Sequence, residues 1–285
     1  MGKVLVIGST GRVGAVVMEL LAQQGVPVRA VSRRPDRLPA IEGVERVPFD
    51  FHNPATFDPA LEGIERVFLM TPPGVSAVIE GLSPILERAF PVAQKIVLVT
   101  MRGVEDEPRS QVRRLEQSVE SSGVPFVVLR PNIFMDNFHT LWRDDLNRTQ
   151  TLSLPAGDAE ISFVYARDVG ACAVKALSSD TFDGRAFTLT GPQSLSLDRA
   201  AEIFTKIVGK TFRYQDVEDE QFRQSLVQAN LPPNYIKTLL ALFAVAREGR
   251  CAEVTDSVEE LLGRPATSFA KYVDIHAVTW GLKRH

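Results

Sequence analysis

Three glycines, Gly8, Gly11 and Gly14, stand at a spacing of three in KVLVIGSTGRVG (Lys3 to Gly14), and the chemistry such a spacing serves is the holding of a diphosphate. Directly before them Val4–Ile7 is an unbroken apolar run, as a strand buried on both faces of a parallel sheet requires. Gly8 lets the chain leave that strand in a tight turn. Gly11 lacks the Cβ that would keep a diphosphate off the backbone, and Gly14 lets the next helix lie close to the sheet. That helix, expected over Val13–Gln24 with Val13, Val16, Val17, Leu20 and Leu21 on one face, turns its free N–H groups and the positive end of its dipole toward the loop. The spacing is GxxGxxG and not the more familiar GxGxxG, so the context, strand before and helix after, carries the reading. A glycine-rich turn without a ligand is the plainer alternative.

A second strand, expected over Val26–Val31, closes in Ser32-Arg33-Arg34. This is the place, roughly 20 residues past the glycines, where a site for NAD puts an acid on the ribose 2′-hydroxyl. Two arginines stand there instead. A guanidinium suits a 2′-phosphate, and a charged hydrogen bond of about 1.5 to 3 kcal/mol would favour NADP over NAD roughly tenfold to a hundredfold; a solvated basic turn is the alternative. The third strand, Val44–Phe49, ends in Asp50-Phe51, a pair suited to holding and covering an adenine, or to capping and packing. The fourth, Arg66–Met70, closes in Thr71-Pro72-Pro73-Gly74 at the carboxyl edge, where open α/β sheets bind ligands. After Pro125–Leu129, Pro131 stops the ladder, and the apolar stretch Arg130–Phe138 either lines a nicotinamide pocket or closes the core.

The elements that must position these residues alternate. Between the strands lie helices expected over Pro54–Leu61, Val75–Phe90 and Pro108–Ser122, with a fifth strand over Lys95–Thr100 and a last one over Arg185–Thr190. Strand and helix in turn predict right-handed crossovers and an α/β doubly wound parallel sheet. From 149 to 164 the chain is expected to be loop and short strand, and Asp168 is expected to cap the helix that reaches Leu177. Beyond Gly191 the alternation stops. Ser196–Val208, Glu218–Ala229, Asn234–Glu248, Asp256–Leu262 and Ser268–Trp280 are all expected to be helical. The expected division is a dinucleotide domain over 1–150 with elements from 160–190 added, and a smaller, mostly helical lobe over 191–285 on the substrate side. Tyr235, Leu239, Leu242 and Phe243 make an apolar stripe that roofs a substrate pocket or faces the interior.

Composition narrows the function classes. Of 285 residues, 45% are hydrophobic and 24% charged, and the formal net charge is -3, so there is no general basic field for nucleic acid. Cys172 and Cys251 fall outside any CxxC pattern, and His52, His139, His276 and His285 make no HxxxH or HExxH pair, which argues against a disulfide framework and a metal site. No leader precedes the first strand, and no apolar run approaches the roughly 18 residues of a membrane span. The expectation is a cytoplasmic protein, monomer or homodimer, without metal, nucleic acid or membrane.

Several stretches together resemble the NmrA-like atypical short-chain dehydrogenase/reductases: VIGSTGRVG, the SRR after strand two, SSGVPFVVLRPNIFMDNF, FVYARDVG, AFTLTGPQSLS and the helical tail LVQANLPPNYIKTLLALFAVAREGR. The likeness covers nearly the whole chain and is greatest to the NADPH-dependent quinone oxidoreductase and triphenylmethane reductase group. It implies a Rossmann-type NAD(P)-binding fold with NADPH (NADP) as cofactor. It implies the diphosphate at Gly8, Ser9, Thr10, Gly11, Arg12, Val13 and Gly14, the 2′-phosphate at Arg33, and the adenine at Asp50 and Phe51. Met70, Thr71 and Pro72 would border the ribose, and Thr100, Pro131, Asn132, Ile133 and Phe134 the nicotinamide. Phe134, Met135, Asn137 and Tyr235 would shape the substrate pocket.

One departure bears on mechanism. Ordinary short-chain dehydrogenases use a Tyr-xxx-Lys pair to give a proton to the forming alkoxide, yet none of Tyr165, Tyr214, Tyr235 and Tyr272 has a lysine four residues on. In the helix after strand five, where family members often place a His or Lys, this chain has Val112, Arg113, Arg114 and Glu116. No residue is assigned as catalytic. A quinone, an iminium or a cationic dye disperses the electrons it receives and takes hydride with little help, so the expected activity is NADPH-dependent reduction of a small aromatic or conjugated electrophile. The alternatives are a redox-sensing NADP(H)-binding regulator of the NmrA type, and an isomerase-type relative that uses bound cofactor without net turnover.

Overall fold

The computed structural model describes residues 1–71 and 76–281; Pro72, expected beside the ribose, lies outside the described residues. In chain order the elements are β1 (Val4–Ile7), α1 (Arg12–Gln23), β2 (Val28–Ser32), β3 (Val44–Pro48), α2 (Phe57–Leu61), β4 (Arg66–Met70), α3 (Ser76–Ala89), β5 (Lys95–Val99), α4 (Gln111–Glu120) and β6 (Phe126–Pro131). There follow α5 (Arg143–Thr149), β7 (Thr151–Leu154), α6 (Ala166–Ser178), β8 (Arg185–Leu189), α7 (Leu197–Val208), β9 (Arg213–Asp216), α8 (Asp219–Gln228), α9 (Pro233–Arg247), α10 (Ser257–Leu262) and α11 (Phe269–Ile275). They fall into two compact units. The first takes Met1–Pro131, Ala166–Leu189 and Glu260–Gly263, and the second Asn132–Tyr165, Thr190–Glu259 and Arg264–His285.

The first unit holds a seven-stranded sheet of order β3-β2-β1-β4-β5-β6-β8, every neighbouring pair parallel. The order reverses beside β1, as in the doubly wound folds that bind dinucleotides at that point. Every residue of β1 and of β5 is buried, which is why β1, and β5 after its opening Lys95, appear in the sequence as unbroken apolar runs. At the opposite edge from the glycine turn, Lys95 is 1% exposed and its ammonium meets the Ser179 carbonyl at 2.6 Å and Asp180 at 2.8 Å, tying the start of β5 to the chain after α6.

The second unit has its own core, in which Phe138, Phe163, Phe204, Phe243, Phe269 and Trp280 are buried. Its small sheet pairs β7 with β9 in parallel. Around it stand α7, whose N-cap Ser196 hydroxyl accepts from the Arg199 N–H, and α11, capped in the same way by Ser268. It takes in Asn132–Tyr165 as well as the late helices expected from 191.

Local expectations are corrected at several points. Asp168 is not an N-cap. The helix α6 already begins at Ala166, so Asp168 lies inside its first turn, 1% exposed, where a carboxylate still meets the positive end of the dipole. α4 begins after Ser110, whose hydroxyl accepts from the Arg113 N–H at 3.1 Å, and not at Pro108. β6 runs on to Pro131, which pairs with Leu189; the ladder stops just past the proline, not before it. The last expected helix breaks after Ile275 into a 3-10 turn, Ala277–Trp280. α5 and β9 have no counterpart among the expected elements.

Candidate functional site

The glycine turn of the first unit is built as its spacing implies. Gly8 has φ +95°, a conformation that disfavours any side chain, and the Gly11 N–H closes the turn onto the Gly8 carbonyl at 2.8 Å. A Cβ on Gly14 would stand 2.2 Å from the Gly8 carbonyl oxygen, so only glycine lets α1 begin this close to β1. The first intrahelical bond runs from the Ala15 N–H to the Gly11 carbonyl at 2.9 Å. The earlier N–H groups of the turn have no acceptor within the helix, no side chain caps the helix, and its first turn holds no acid. An anion fits there. Thr10, Gly11 and Arg12 are exposed and Val13 is buried. Ser9 is also buried, its hydroxyl donating to the Val31 carbonyl at 2.7 Å, so it ties the turn to the end of β2.

Arg33 follows β2, exposed and, among the described residues, without an ion-pair partner. Its charge is therefore available to a phosphate. Asp50 makes bonds within its own loop. Its carboxylate accepts from the His52 N–H at 3.0 Å, and its own N–H donates to the Thr56 hydroxyl at 3.1 Å. Phe51 is half-buried with its ring edge-on to Phe49, centroids 5.0 Å apart. Met70 ends β4 half-buried, and its Cβ would lie 3.7 Å from a side chain on Gly8. Thr71 is buried and donates through its N–H to the Val99 carbonyl at 3.0 Å. Because the strands are parallel, these positions share the carboxyl edge of one sheet.

At that edge the sequence left one arrangement unread. Glu116, on α4, is fully buried. One of its carboxyl oxygens accepts from the Thr100 hydroxyl at 2.6 Å and from Arg130 Nε at 3.0 Å; the other accepts from Arg130 Nη2 and Arg113 Nη1, both at 2.8 Å. Arg113 also reaches Glu120 at 2.6 Å. Glu120 and then Glu116 raise the Arg113 pKa above its ordinary value. Burial opposes the Arg130 charge, but its bonds to Glu116 outweigh that and its pKa is raised as well. Thr100, just beyond β5, thus donates its hydroxyl hydrogen bond to a carboxylate.

The remaining expected residues belong to the second unit, since the chain passes into it after Pro131. Asn132 is buried, and its amide donates to the Ser162 hydroxyl at 2.7 Å and to the Cys251 carbonyl at 2.9 Å. Ile133 is buried, Phe134 half-buried and Met135 1% exposed in the core. Phe134 forms a bridge with Val164. Asn137 is buried in the turn after it, its carbonyl accepting from the Trp142 N–H at 3.0 Å. In α9, Leu239 and Phe243 are core residues, with Tyr235 and Leu242 half-buried against them; the stripe faces the interior of the unit.

The second unit also gathers a cluster that the sequence did not reveal. The Tyr165 hydroxyl lies 3.1 Å from His276 Nε2, and the Tyr272 hydroxyl 2.7 Å from His139 Nδ1. The two imidazoles stack with centroids 4.1 Å apart and planes 16° from parallel. Burial holds the His276 pKa below its ordinary value. The signal available in the sequence was the four-residue spacing of Tyr272 and His276 within one expected helix.

The reversed parallel sheet and the uncapped helix terminus behind Gly14 define an α/β protein of the dinucleotide-binding type. The NAD(P)H-binding family model matches residues 8–180 and the NmrA-like family model residues 109–276. The chain belongs to the NmrA-like family, among the NAD(P)H-dependent oxidoreductases of this fold. It is similar to a (4-alkanoyl-5-oxo-2,5-dihydrofuran-3-yl)methyl phosphate reductase of Streptomyces griseus, 32% identical over 96% of this chain and 98% of the relative. It is similar also to an NAD(P)H azoreductase of Xenophilus azovorans, 28% identical over 98% and 99%. Among solved structures, Citrobacter sp. triphenylmethane reductase shares the fold with a TM-score of 0.84 at 19% identity, covering 98% of this chain and 100% of that one. So does the negative transcriptional regulator NmrA in complex with NAD, with a TM-score of 0.74 at 19% identity over 99% and 98%. No helix among the described residues is long and apolar enough to cross a membrane, and no cluster of His, Cys, Asp and Glu among them is suited to a metal ion.

Proposed function

We propose that the protein is an NADPH-dependent reductase of small conjugated electrophiles that accept hydride without an acid beside them: quinones, azo compounds, iminium ions or cationic dyes. The nicotinamide, when bound, supplies the hydride. The Gly8–Gly14 turn would hold the diphosphate by its backbone N–H groups, Arg33 the 2′-phosphate, and Asp50 with Phe51 the adenine. Met70 and Thr71 would border the ribose, and Thr100 and Pro131 belong to the nicotinamide end. Asn132, Ile133 and Phe134 keep the same assignment in the second unit. Of the substrate residues, Phe134 and Tyr235 are half-buried, whereas Met135 and Asn137 are buried in one turn.

The observation that carries this reading is the Thr100 hydroxyl bonded to Glu116 at 2.6 Å. With its O–H engaged in donating to a carboxylate that two arginines hold in place, Thr100 presents only acceptor lone pairs. It offers no donor to a ketone oxygen, and the chain has no Tyr-xxx-Lys to do so. What remains is placement of the acceptor and exclusion of water. The relatives fit this: one is named an azoreductase and another a reductase of an oxo-dihydrofuranyl methyl phosphate.

The test is a screen of acceptors with NADPH, followed by the loss of nicotinamide absorbance. Turnover of menadione, a cationic triarylmethane dye or a cyclic iminium is the expected result. Tight NADPH binding with no turnover of any of them would favour the second reading, a redox-sensing regulator, which rests on the fold shared with the NmrA regulator.

A further inference from the structure

Thr71 and Thr100 stand just past the ends of two neighbouring strands of the first unit and are 3% and 4% exposed. The Thr71 N–H donates to the Val99 carbonyl at 3.0 Å, and the Thr100 N–H to the Leu129 carbonyl at 2.9 Å. Two residues earlier, Leu69 pairs with Leu98 in the β4–β5 ladder, and both lie in one core cluster. By the alternation of a strand the two threonines therefore point to that same face. Each hydroxyl turns its hydrogen back into the protein, Thr71 to the Val99 carbonyl at 3.3 Å and Thr100 to Glu116 at 2.6 Å. Among the described residues neither receives a hydrogen in return. A hydroxyl has two lone pairs, and buried polar atoms are rarely left unmet. The pair calls for a ligand that donates.

Thr100 is not free to act otherwise. Glu116 bonds to two guanidiniums, of Arg113 and Arg130, at 2.8 Å, and as a carboxylate it has only acceptors to offer. Turning the Thr100 O–H away from it would leave two oxygens 2.6 Å apart with no hydrogen between them, so the hydroxyl keeps its direction.

Position along the sheet says which donor each threonine meets. A dinucleotide crosses the point where strand order reverses, with one mononucleotide half on each side. On the side away from β2 the strands run β1, β4, β5, spaced about 4.8 Å per step. A cofactor whose diphosphate lies on the glycine turn after β1 thus passes Thr71 before Thr100, in the order ribose, then nicotinamide. The groups of that half able to donate are the ribose hydroxyls and the carboxamide NH2. We infer that Thr100 accepts a hydrogen from the nicotinamide carboxamide, with Thr71 accepting from the ribose, and that Glu116 is the positioning residue that makes Thr100 an acceptor. The inference rests on the NADPH binding assumed in the reductase reading. It makes the site selective for the amide, since an acetyl group in the same place keeps the carbonyl but puts a methyl where the N–H groups were.

The experiment measures Kd by calorimetric titration for NADP and for its 3-acetylpyridine analogue in the wild type, Thr100→Val, Thr100→Ser and Glu116→Gln. The wild type should bind NADP about tenfold or more tighter than the analogue. Thr100→Val should lose this preference and Thr100→Ser should keep it. In Glu116→Gln the one remaining oxygen belongs on the side where two guanidinium nitrogens donate, and the NH2 turns to Thr100. The freed Thr100 hydrogen then suits the carbonyl of either ligand, so the preference should collapse although Thr100 is untouched. A merely structural role for Glu116 would weaken both ligands alike, and an unchanged ratio in this variant overturns its positioning role. Equal binding of both ligands by the wild type, or a preference that survives in Thr100→Val, overturns the carboxamide assignment while NADPH binding stands. A chain that binds neither NADP nor NADPH overturns the reductase reading, and this inference with it. The titrations contain no hydride acceptor, so their outcome is separate from that of the acceptor screen. Should Glu116→Gln not fold, Glu116→Asp, with a carboxylate too short to reach Thr100 and both arginines together, takes its place.

Discussion

Each unit gathers a polar cluster, and the two clusters differ in kind. In the first, the buried groups Arg29, Lys95 and Glu116 are ionic, and each meets opposite charge. In the second, the buried or half-buried cluster is built of phenols and imidazoles. Paired ions fix geometry, because separating one partner leaves a buried charge uncompensated. A phenol beside an imidazole can exchange protons near neutral pH. The ionic cluster is therefore fixed in place, whereas the phenol and imidazole cluster is able to change protonation with pH.

Breaking the ionic side of this contrast should have the largest effect. Glu116→Ala strands Arg130 and frees the Thr100 hydroxyl, and should cost about 3 kcal/mol, the low end for a buried pair because Glu120 and Glu105 still face the arginines; chemical denaturation measures it. Next come two glycines, one in each unit. A Cβ on Gly14 would lie 2.2 Å from the Gly8 carbonyl oxygen, and one on Gly191 2.1 Å from that of Phe163. Either alanine should destabilise by about 1 to 3 kcal/mol. Only Gly14→Ala should also raise the NADPH Kd, on the order of tenfold or more, as calorimetric titration would show. Equal loss of binding in both variants would blur the distinction between the units.

Arg33→Ala sharpens the contrast from the other direction. This arginine is exposed and unpaired among the described residues, so stability should stay within about 0.5 kcal/mol. NADPH affinity should fall roughly tenfold to a hundredfold with NADH affinity unchanged. The smallest effect belongs to pH. Folded His276 resists the proton that the unfolded chain accepts at the ordinary value of 6.5, so the stability tied to it is complete above that pH and declines as the pH falls below it. Thermal melts of His276→Gln should lose this slope. Glu19, held low by Arg167, and Glu45, held low by Arg29, act only further down, below their ordinary 4.5.

Much of the fold was legible because its signals are local. A strand buried on both faces has to be apolar throughout, as Val4–Ile7 and Lys95–Val99 nearly are, and a turn with positive φ selects glycine at Gly8. The helix caps Ser110, Ser196 and Ser268 are equally local, although only the last two open helices at the positions expected from sequence. β9 escaped because its partner β7 is remote in sequence and its own residues, Arg213–Asp216, are mostly exposed and polar. Arg113 and Glu116 stand out in the sequence as a departure from the family, but neither their burial nor the link to Thr100 is visible there.

The sequence alone determined that a parallel sheet begins at Val4, that a glycine turn leading into a helix follows it, and that a guanidinium and no acid stands after the second strand, since each depends on residues within a single turn or strand. Which polar groups meet was decided only by the tertiary structure. Glu116 could have been a solvated carboxylate, and His139 and His276 two unrelated surface imidazoles. Packing α4 against the sheet buried the first among cations, and folding α11 into the second unit stacked the others. Contact between residues so far apart along the chain leaves no periodicity to read, because the energy that fixes it comes from the burial of the elements that carry them.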